Sequence, residues 1–384
     1  MAPVLPGSTI GFFGGGQLGR MTAMAARSFG YRINVIDPDR DCPAAYVADH
    51  CIAASFNDVE AAITMAKHCD VITLEIEKIG LDALNAAAKY APVRPSARVL
   101  EIIQDRARQK DWLVKHGFPV GDYRKAATVH DLARAIAEIG PKLFAKAAFG
   151  GYDGRGQFEI SGPTQAAEAW DALRAPLVVA EKTLELECEV SMMVARRPSG
   201  ETSVFPPAMN YHEQRILAWS VTPAPVSGKI AKDAAEIANE IARKIEVEGL
   251  LAIEMFVTKD GKLLVNELAP RPHNSFHATE RACLTSQFEQ LMRAVCDLPL
   301  GSVELLRPAA IANLLGDLWL DGRKPDFVSA LSVPGVRLHL YEKHTPRPGR
   351  KMGHLSAIGK TVEEALENVK KAYHCLEAPC ETRS

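Results

Sequence analysis

Residues 9–13 read as a buried strand that runs straight into Gly14-Gly15-Gly16-Gln17-Leu18-Gly19. An Ala- and Met-rich helical segment over about 18–28 follows, and then a second strand over 32–36 that ends at Asp37. A helix between two strands is the connection that parallel pairing needs, so this opening commits the first part of the chain to a Rossmann-like α/β sheet. GxGxxG spacing with an acid closing the next strand meets the dinucleotide fingerprint. Its physical content is narrower: a tight turn offers backbone amides at a helix N-terminus to an anion. A dinucleotide and a phosphate-bearing small substrate are served equally. Residues 70–75 predict a further parallel strand that leaves Glu75 and Glu77 at its carboxyl end, where ligands of open α/β sheets bind. Helical runs over 81–90 and 97–116 come next, the second carrying Arg106 and Lys110, before Gly117-Phe118-Pro119 breaks the chain.

A second constraint lies at 251–274, LAIEMFVTKDGKLLVNELAPRPHN. Residues 251–257 and 262–268 predict adjacent strands, with Lys259, Asp260 and Gly261 in a tight turn. Glu254 interrupts an apolar strand and Glu267 closes the next one beside Asn266. Buried carboxylates are paired or hold a cation, and oxygen ligands on neighbouring strands suit magnesium. An exposed hairpin with its acids facing water fits the same residues. Arg271, His273 and Asn274 follow in a proline-punctuated loop.

Between these landmarks the pattern predicts a small unit: helix 128–139, strands 142–148 and 157–160, helix 165–173 and strand 177–181. Its two central strands are joined by Gly150, Gly151, Tyr152, Asp153, Gly154, Arg155 and Gly156, a mobile glycine-rich loop, with Lys146 near the end of the preceding strand. Lys146 is placed to meet phosphates, although a surface lysine beside a glycine hairpin has the same sequence. A connector at 181–184 leads to alternating strands that begin at Glu187 and Glu189, and to His212 in a turn. Near the C-terminus, residues 344–354 gather His344, Arg347, Arg350, Lys351 and His354 among prolines and glycines, as an anion pocket or as a basic surface turn. An amphipathic helix over 359–373 closes the pattern.

A length of 384 residues suggests two or three domains. Lys and Arg number 45 against 47 Asp and Glu, a formal net charge of -2, which argues against global steering toward nucleic acid. No apolar run is long enough to span a bilayer, and the N-terminal residues lack a basic region typical of a secretory signal. The 8 cysteines form no CxxC pair, so a reducing, cytoplasmic setting is expected. Neither GxxxxGK[ST] nor the HRD and DFG pair of protein kinases is present. The lysine, carboxylate and arginine signals instead fit phosphoryl transfer from a magnesium nucleotide.

The order of these pieces resembles the ATP-grasp superfamily. GGGQLGRM at 14–21, EIE at 75–77, GGYDGRGQ at 150–157, NELAPRPHNS at 266–275, TSQFEQ at 285–290 and RPGRKMGH at 347–354 together resemble the N5-carboxyaminoimidazole ribonucleotide synthase family, over nearly the whole chain. The resemblance implies a three-domain α/β and α+β architecture: an N-terminal Rossmann-like pre-ATP-grasp domain at 1–105, a linker helix and lid at 106–184, and a C-terminal ATP-grasp and substrate domain at 185–384. It implies ATP- and bicarbonate-dependent carboxylation of 5-aminoimidazole ribonucleotide through carboxyphosphate, in purine biosynthesis.

By the same resemblance Arg106, Lys146, Glu181, Lys182, Leu184, Glu189 and Asn266 contact ATP, and Glu254 and Glu267 hold Mg2+. Gln17, Leu18, Glu75, Tyr152, Asp153, Arg155, Asn274, Arg350 and Lys351 surround the ribonucleotide. Arg271 and His273 face bicarbonate or the acyl phosphate, and Tyr152, Asp153, Arg155 and Lys351 share the catalytic work. A homodimer without nucleic-acid or membrane partners is expected. Two departures from the family pattern stand out: Lys78-Ile79 replaces a common His-Val pair, and Ser275-Phe276-His277 replaces Ser-Gly-His. The short tail after the last helix leads to the expectation that no mutase domain is fused to this chain. Another ATP-grasp carboxylase or transformylase, an NAD enzyme and a nonenzymatic nucleotide-binding protein are the competing readings.

Overall fold

The computed structural model describes residues 2–150, 156–213 and 215–377. Three sheets organise them. In the first, His50–Ala53, Arg32–Asp37, Thr9–Phe13 and Val71–Leu74 lie side by side in that order, all parallel. Alternate residues of a strand face opposite sides, and the two faces find different partners. Ile10, Phe12, Ile33 and Val35 join the core shared with Leu291, Met292 and Val295 of the helix Gln287–Val295. Phe13, Ile36, Ile72 and Leu74 pack on the helices Val59–Ala66 and Leu81–Ala87.

The second sheet is antiparallel, in the order Tyr123–Ala126, Val178–Lys182, Leu143–Ala147, Gln157–Ile160. Leu132, Ala135, Ile136 and Ile139 recur at helical spacing on Val129–Ile139 and close one face of it, together with Ala166 and Ala169 of Ala166–Leu173. Thr128 caps the longer helix by accepting the Asp131 N–H.

The third sheet has 9 strands among the described residues, running Leu263–Ala269, Gly249–Thr258, Leu186–Arg196, Ala208–Glu213, Ile216–Thr222, Ala309–Leu315, Lys351–Ile358, Val336–Leu340, with Thr202–Val204 beside Leu186–Arg196. One face is covered by Gly228–Ile245, whose Ala234, Ala238, Ile241, Ala242 and Ile245 form a buried stripe, and by Val362–Glu377 through Ala365, Val369, Ala372 and Leu376. Among the described residues no helix is long and apolar enough to cross a membrane.

Three expectations need correction. His212, expected in a turn, lies in the strand Ala208–Glu213, paired with Leu217. The single helix over 97–116 is two helices, Ala97–Ile103 and Arg106–Lys115. Asp105 leaves helical geometry and accepts the N–H groups of Ala107 and Arg108, so its short acceptor side chain competes with the helix and starts a new one. Residues 351–354, expected in the loop, belong to the strand Lys351–Ile358, which is buried through Ala357; Gly353 sits inside that strand and does not break it.

Candidate active site

A cleft of about 960 Å³ opens where the carboxyl ends of the parallel sheet, the four-stranded lid and the edge of the large sheet meet. Gln17, Leu18 and Glu75 reach it from the parallel sheet, Arg106 from the start of its helix, and Lys146, Glu181, Lys182 and Leu184 from the lid and connector. Glu189, Glu254, Asn266, Glu267 and Lys351 line it from the large sheet, and Arg271, His273 and Asn274 from the loop that follows. Tyr152, Asp153 and Arg155 lie outside the described residues.

The glycine turn departs from the dinucleotide reading. Its amides are already taken by the chain's own acids: Gly16 and Gly19 N–H donate to Glu75, the latter at 2.7 Å, and Gly15 N–H donates to Asp37 at 2.8 Å. A Cβ on Gly16 would stand 2.5 Å from Glu75 Oε1, and one on Gly19 2.6 Å from the Gly14 carbonyl, so the glycines admit the carboxylate and the helix at close quarters. Burial pushes the Glu75 carboxyl up to about 7 against the pull of the Gly19 and Gly16 amides.

On the lid side three cations converge on Glu181. Lys146 lies 2.9 Å, Lys110 3.5 Å and Arg106 3.9 Å from its oxygens. Burial favours the neutral acid, but Lys146, Lys110 and Arg106 outweigh it and hold the Glu181 carboxyl down at about 2. Lys110 is itself buried, and that burial lowers its ammonium despite Glu181. The positive charge gathered here matches the triphosphate of a nucleotide. Farther along, His212 lies 3.2 Å from Glu189. Burial lowers this imidazole, yet the Glu189 carboxylate prevails and raises it.

Glu254 and Glu267 are direct cross-strand partners, with a bulge immediately after Glu254. Neither is fully buried: their side chains are 24% and 42% exposed toward the cleft. The expected burial of two charges is therefore relieved by solvent and neighbours. His273 Nε2 lies 3.2 Å from Glu254, and Arg106 donates to Glu267 at 3.1 Å. Burial raises Glu254, but His273, His212 and Lys351 bring it down to about 2. Adjacent Asn266 has a buried Oδ1 that accepts no hydrogen bond. Two carboxylates and an unsatisfied amide oxygen are the hard oxygen set that Mg2+ takes, so these residues fit the ion.

The loop beyond is held from several sides. Arg271 Nε pairs with Glu77 at 2.7 Å. Gln287 accepts the His273 N–H at 2.9 Å and donates to the His273 carbonyl at 3.1 Å. Lys343 donates to Gln17 and to the Lys351 carbonyl. Gln287, Lys343 and Lys110 lie outside the site residues expected from sequence; Gln287 falls within TSQFEQ, but the motif does not state what it touches, whereas Glu77 stands at the strand end where a ligand contact is expected.

The basic 344–354 segment does not converge as one pocket. Lys351 reaches the cleft, Arg350 donates to the Thr345 carbonyl, His344 meets the Tyr46 hydroxyl at 3.1 Å, and His354 is buried elsewhere. The unusual Phe276 turns into the core against Phe205, with ring centroids 6.1 Å apart.

Known proteins match this arrangement in the same order. Residues 7–104 match the ribonucleotide synthetase preATP-grasp domain, 111–288 the ATP-grasp domain, and 309–368 the phosphoribosylaminoimidazole carboxylase C-terminal domain. Fold and cleft together define an enzyme of the ATP-grasp class. The N5-carboxyaminoimidazole ribonucleotide synthase of Bacillus subtilis is 41% identical over 367 residues, 95% of each chain. An ADP complex of an N5-carboxyaminoimidazole ribonucleotide synthetase is 40% identical with a TM-score of 0.90, covering 98% of this chain and 100% of the other. The Aspergillus clavatus synthase, solved with ADP and 5-aminoimidazole ribonucleotide, is 32% identical with a TM-score of 0.88, covering 96% and 98%. The chain belongs to the N5-carboxyaminoimidazole ribonucleotide synthase family, whose members are ATP-dependent ligases.

Proposed function

We propose that this chain carboxylates the exocyclic amine of 5-aminoimidazole ribonucleotide, using ATP and bicarbonate and releasing ADP and phosphate in purine biosynthesis. The observation that carries the reading is the single cleft in which the Lys146–Glu181 cluster, the Glu254–Glu267 pair and the Glu75–Arg271–Lys351 side all open on one volume.

Lys146, Lys110 and Arg106 draw the nucleotide phosphates toward the large sheet, with Glu181, Lys182, Leu184 and Glu189 along the remainder of ATP. Glu254, Glu267 and Asn266 would hold Mg2+, which would supply positive charge against the transferring phosphate. A bicarbonate oxygen attacks the γ-phosphorus, the bond to the ADP oxygen breaks, and carboxyphosphate forms. Arg271 and His273 stabilise its oxygens. The amine, held with its ribonucleotide by Gln17, Leu18, Glu75, Asn274 and Lys351, attacks the carboxyl carbon or carbon dioxide released from it. The C–O bond to phosphate breaks and the amine gives up a proton. Tyr152, Asp153, Arg155 and Arg350 complete the ribonucleotide contacts in this reading. Exclusion of water matters because an acyl phosphate hydrolyses when wet.

The same reading includes a homodimer and a cytoplasmic setting; the cysteines at 42, 51, 69, 188, 283, 296 and 375 are all free thiols. Light scattering of the purified chain tests the dimer. For the reaction, ADP is counted against trapped carboxylated product with and without bicarbonate. One product per ADP supports the proposal, and ADP release with no carboxylated product refutes it.

A further inference from the structure

Behind the cleft, three imidazoles stack in the interior. His277 and His354 have ring centroids 4.5 Å apart, and His354 and His339 4.9 Å apart. His339 and His354 are register partners on the antiparallel strands Val336–Leu340 and Lys351–Ile358, so their side chains leave the sheet on one face. Glu280, on Thr279–Ala282, meets them there. One donor atom each from Glu280, His339 and His354 lies within 4.8 Å of the other two. None of the three lines the nucleotide cleft.

We propose that Glu280, His339 and His354 bind one divalent transition-metal ion of the zinc type, at a site separate from the magnesium and nucleotide cleft. The donor state of the rings supports this. His354 is fully buried, and its Nε2 makes no hydrogen bond. Its Nδ1 lies 2.8 Å from the Tyr341 hydroxyl. Donating Nδ1–H to that oxygen leaves the Nε2 lone pair free, which is how a metal-bound histidine is oriented by a second partner. His339 Nδ1 lies 3.5 Å from Glu280 Oε2 and also makes no hydrogen bond. His277 does not compete for the ion, because Asn274 and Gln287 occupy its two ring nitrogens at 3.0 and 3.1 Å.

Glu280 supplies a carboxylate oxygen, its Oε2, beside His339. Two imidazoles and a carboxylate with an open fourth position for water make a set that zinc accepts. In a tetrahedral zinc site the donors stand roughly 3.3 Å apart; the His339–Glu280 spacing of 3.5 Å is already close to this, and the three donor atoms all lie within 4.8 Å of one another. The ion would fasten the segment that follows the Arg271–His273 loop to the strand pair that carries Lys351.

The test uses the full chain, freed of metal with a chelator and titrated with zinc sulfate in a calorimeter, with X-ray absorption on the loaded wild type. The expected result is one zinc per chain, a shell of nitrogen and oxygen that includes two imidazoles, and an affinity lowered at least about tenfold in both Glu280→Ala and His339→Ala. Folding of the variants is checked by circular dichroism, and the wild-type absorption spectrum decides the question if either fails to fold. Absence of stoichiometric zinc binding, sulfur in the shell, or unchanged affinity in both folded variants would overturn the proposal.

Discussion

Glu75 closes the glycine turn from within, its carboxylate 2.7 Å from the Gly19 N–H. An anion site that reads as open in sequence is thus filled by the protein's own acid, which then stands at the edge of the cleft. Because folding raises this carboxyl from 4.5 to about 7, the native state keeps a proton that the unfolded chain has lost between those values. Its contribution to stability is complete below about 4.5 and is lost as pH rises through about 7. Thermal unfolding of wild type and Glu75→Gln across this range should show the wild type losing stability relative to the variant as pH rises, with a flat difference above it. Parallel profiles would contradict the assignment.

Gly19→Ala reverses an ordinary rule. Alanine within a helix normally stabilises by about 0.5–1 kcal/mol relative to glycine. Here its Cβ would stand 2.6 Å from the Gly14 carbonyl, which is backbone and cannot swing aside. A loss of about 1–3 kcal/mol is expected from overpacking, together with weaker ribonucleotide binding, and urea unfolding reads the first directly. A variant as stable as wild type would show that the turn gives way.

Lys146→Met removes the nearest cation from Glu181. The Glu181 carboxyl, held at about 2 in the folded chain, stabilises above its ordinary value of 4.5 and loses that contribution as pH falls toward 2. Without Lys146 the carboxyl rises, so acid unfolding should begin at a higher pH, and the KM for ATP should increase. An unchanged acid limb would mean that Lys110 and Arg106 suffice.

Gln287 acts through His273 rather than on substrate. Its amide grips both the N–H and the carbonyl of that residue, and it is fully buried. Gln287→Leu should lower turnover by on the order of 10²-fold through misplacement of the loop, while the KM for ATP stays within about twofold. Gln287→Glu, which retains the acceptor but loses the donor, should fall between them. A rise in the ATP KM with turnover intact would instead tie Gln287 to the nucleotide side.

Sequence alone reached much of this because the relevant elements are local. The strand at Thr9–Phe13, the glycine turn and the Glu254–Glu267 hairpin are each written in contiguous residues. What escaped depends on distance in sequence. Glu75 reaching Gly19, Lys110 joining Lys146 on Glu181, and Gln287 clasping His273 are tertiary pairings that no periodicity encodes. The strand Lys351–Ile358 is buried on both faces, yet Lys351, Gly353, His354 and Ser356 interrupt any apolar run, so its sequence resembles the basic loop before it. Asp105 was legible in principle as a capping residue, and its position would have divided the long helical run.

In the proposed route bicarbonate is phosphorylated before its carbon reaches the amine. Bicarbonate labelled with oxygen-18 tests it most directly, since the oxygen that attacks phosphorus stays with phosphate when the C–O bond breaks. Mass spectrometry of phosphate from a single turnover, with ATP and 5-aminoimidazole ribonucleotide present, should find one labelled oxygen in each phosphate formed. Unlabelled phosphate accompanied by stoichiometric carboxylated product would contradict the acyl phosphate route.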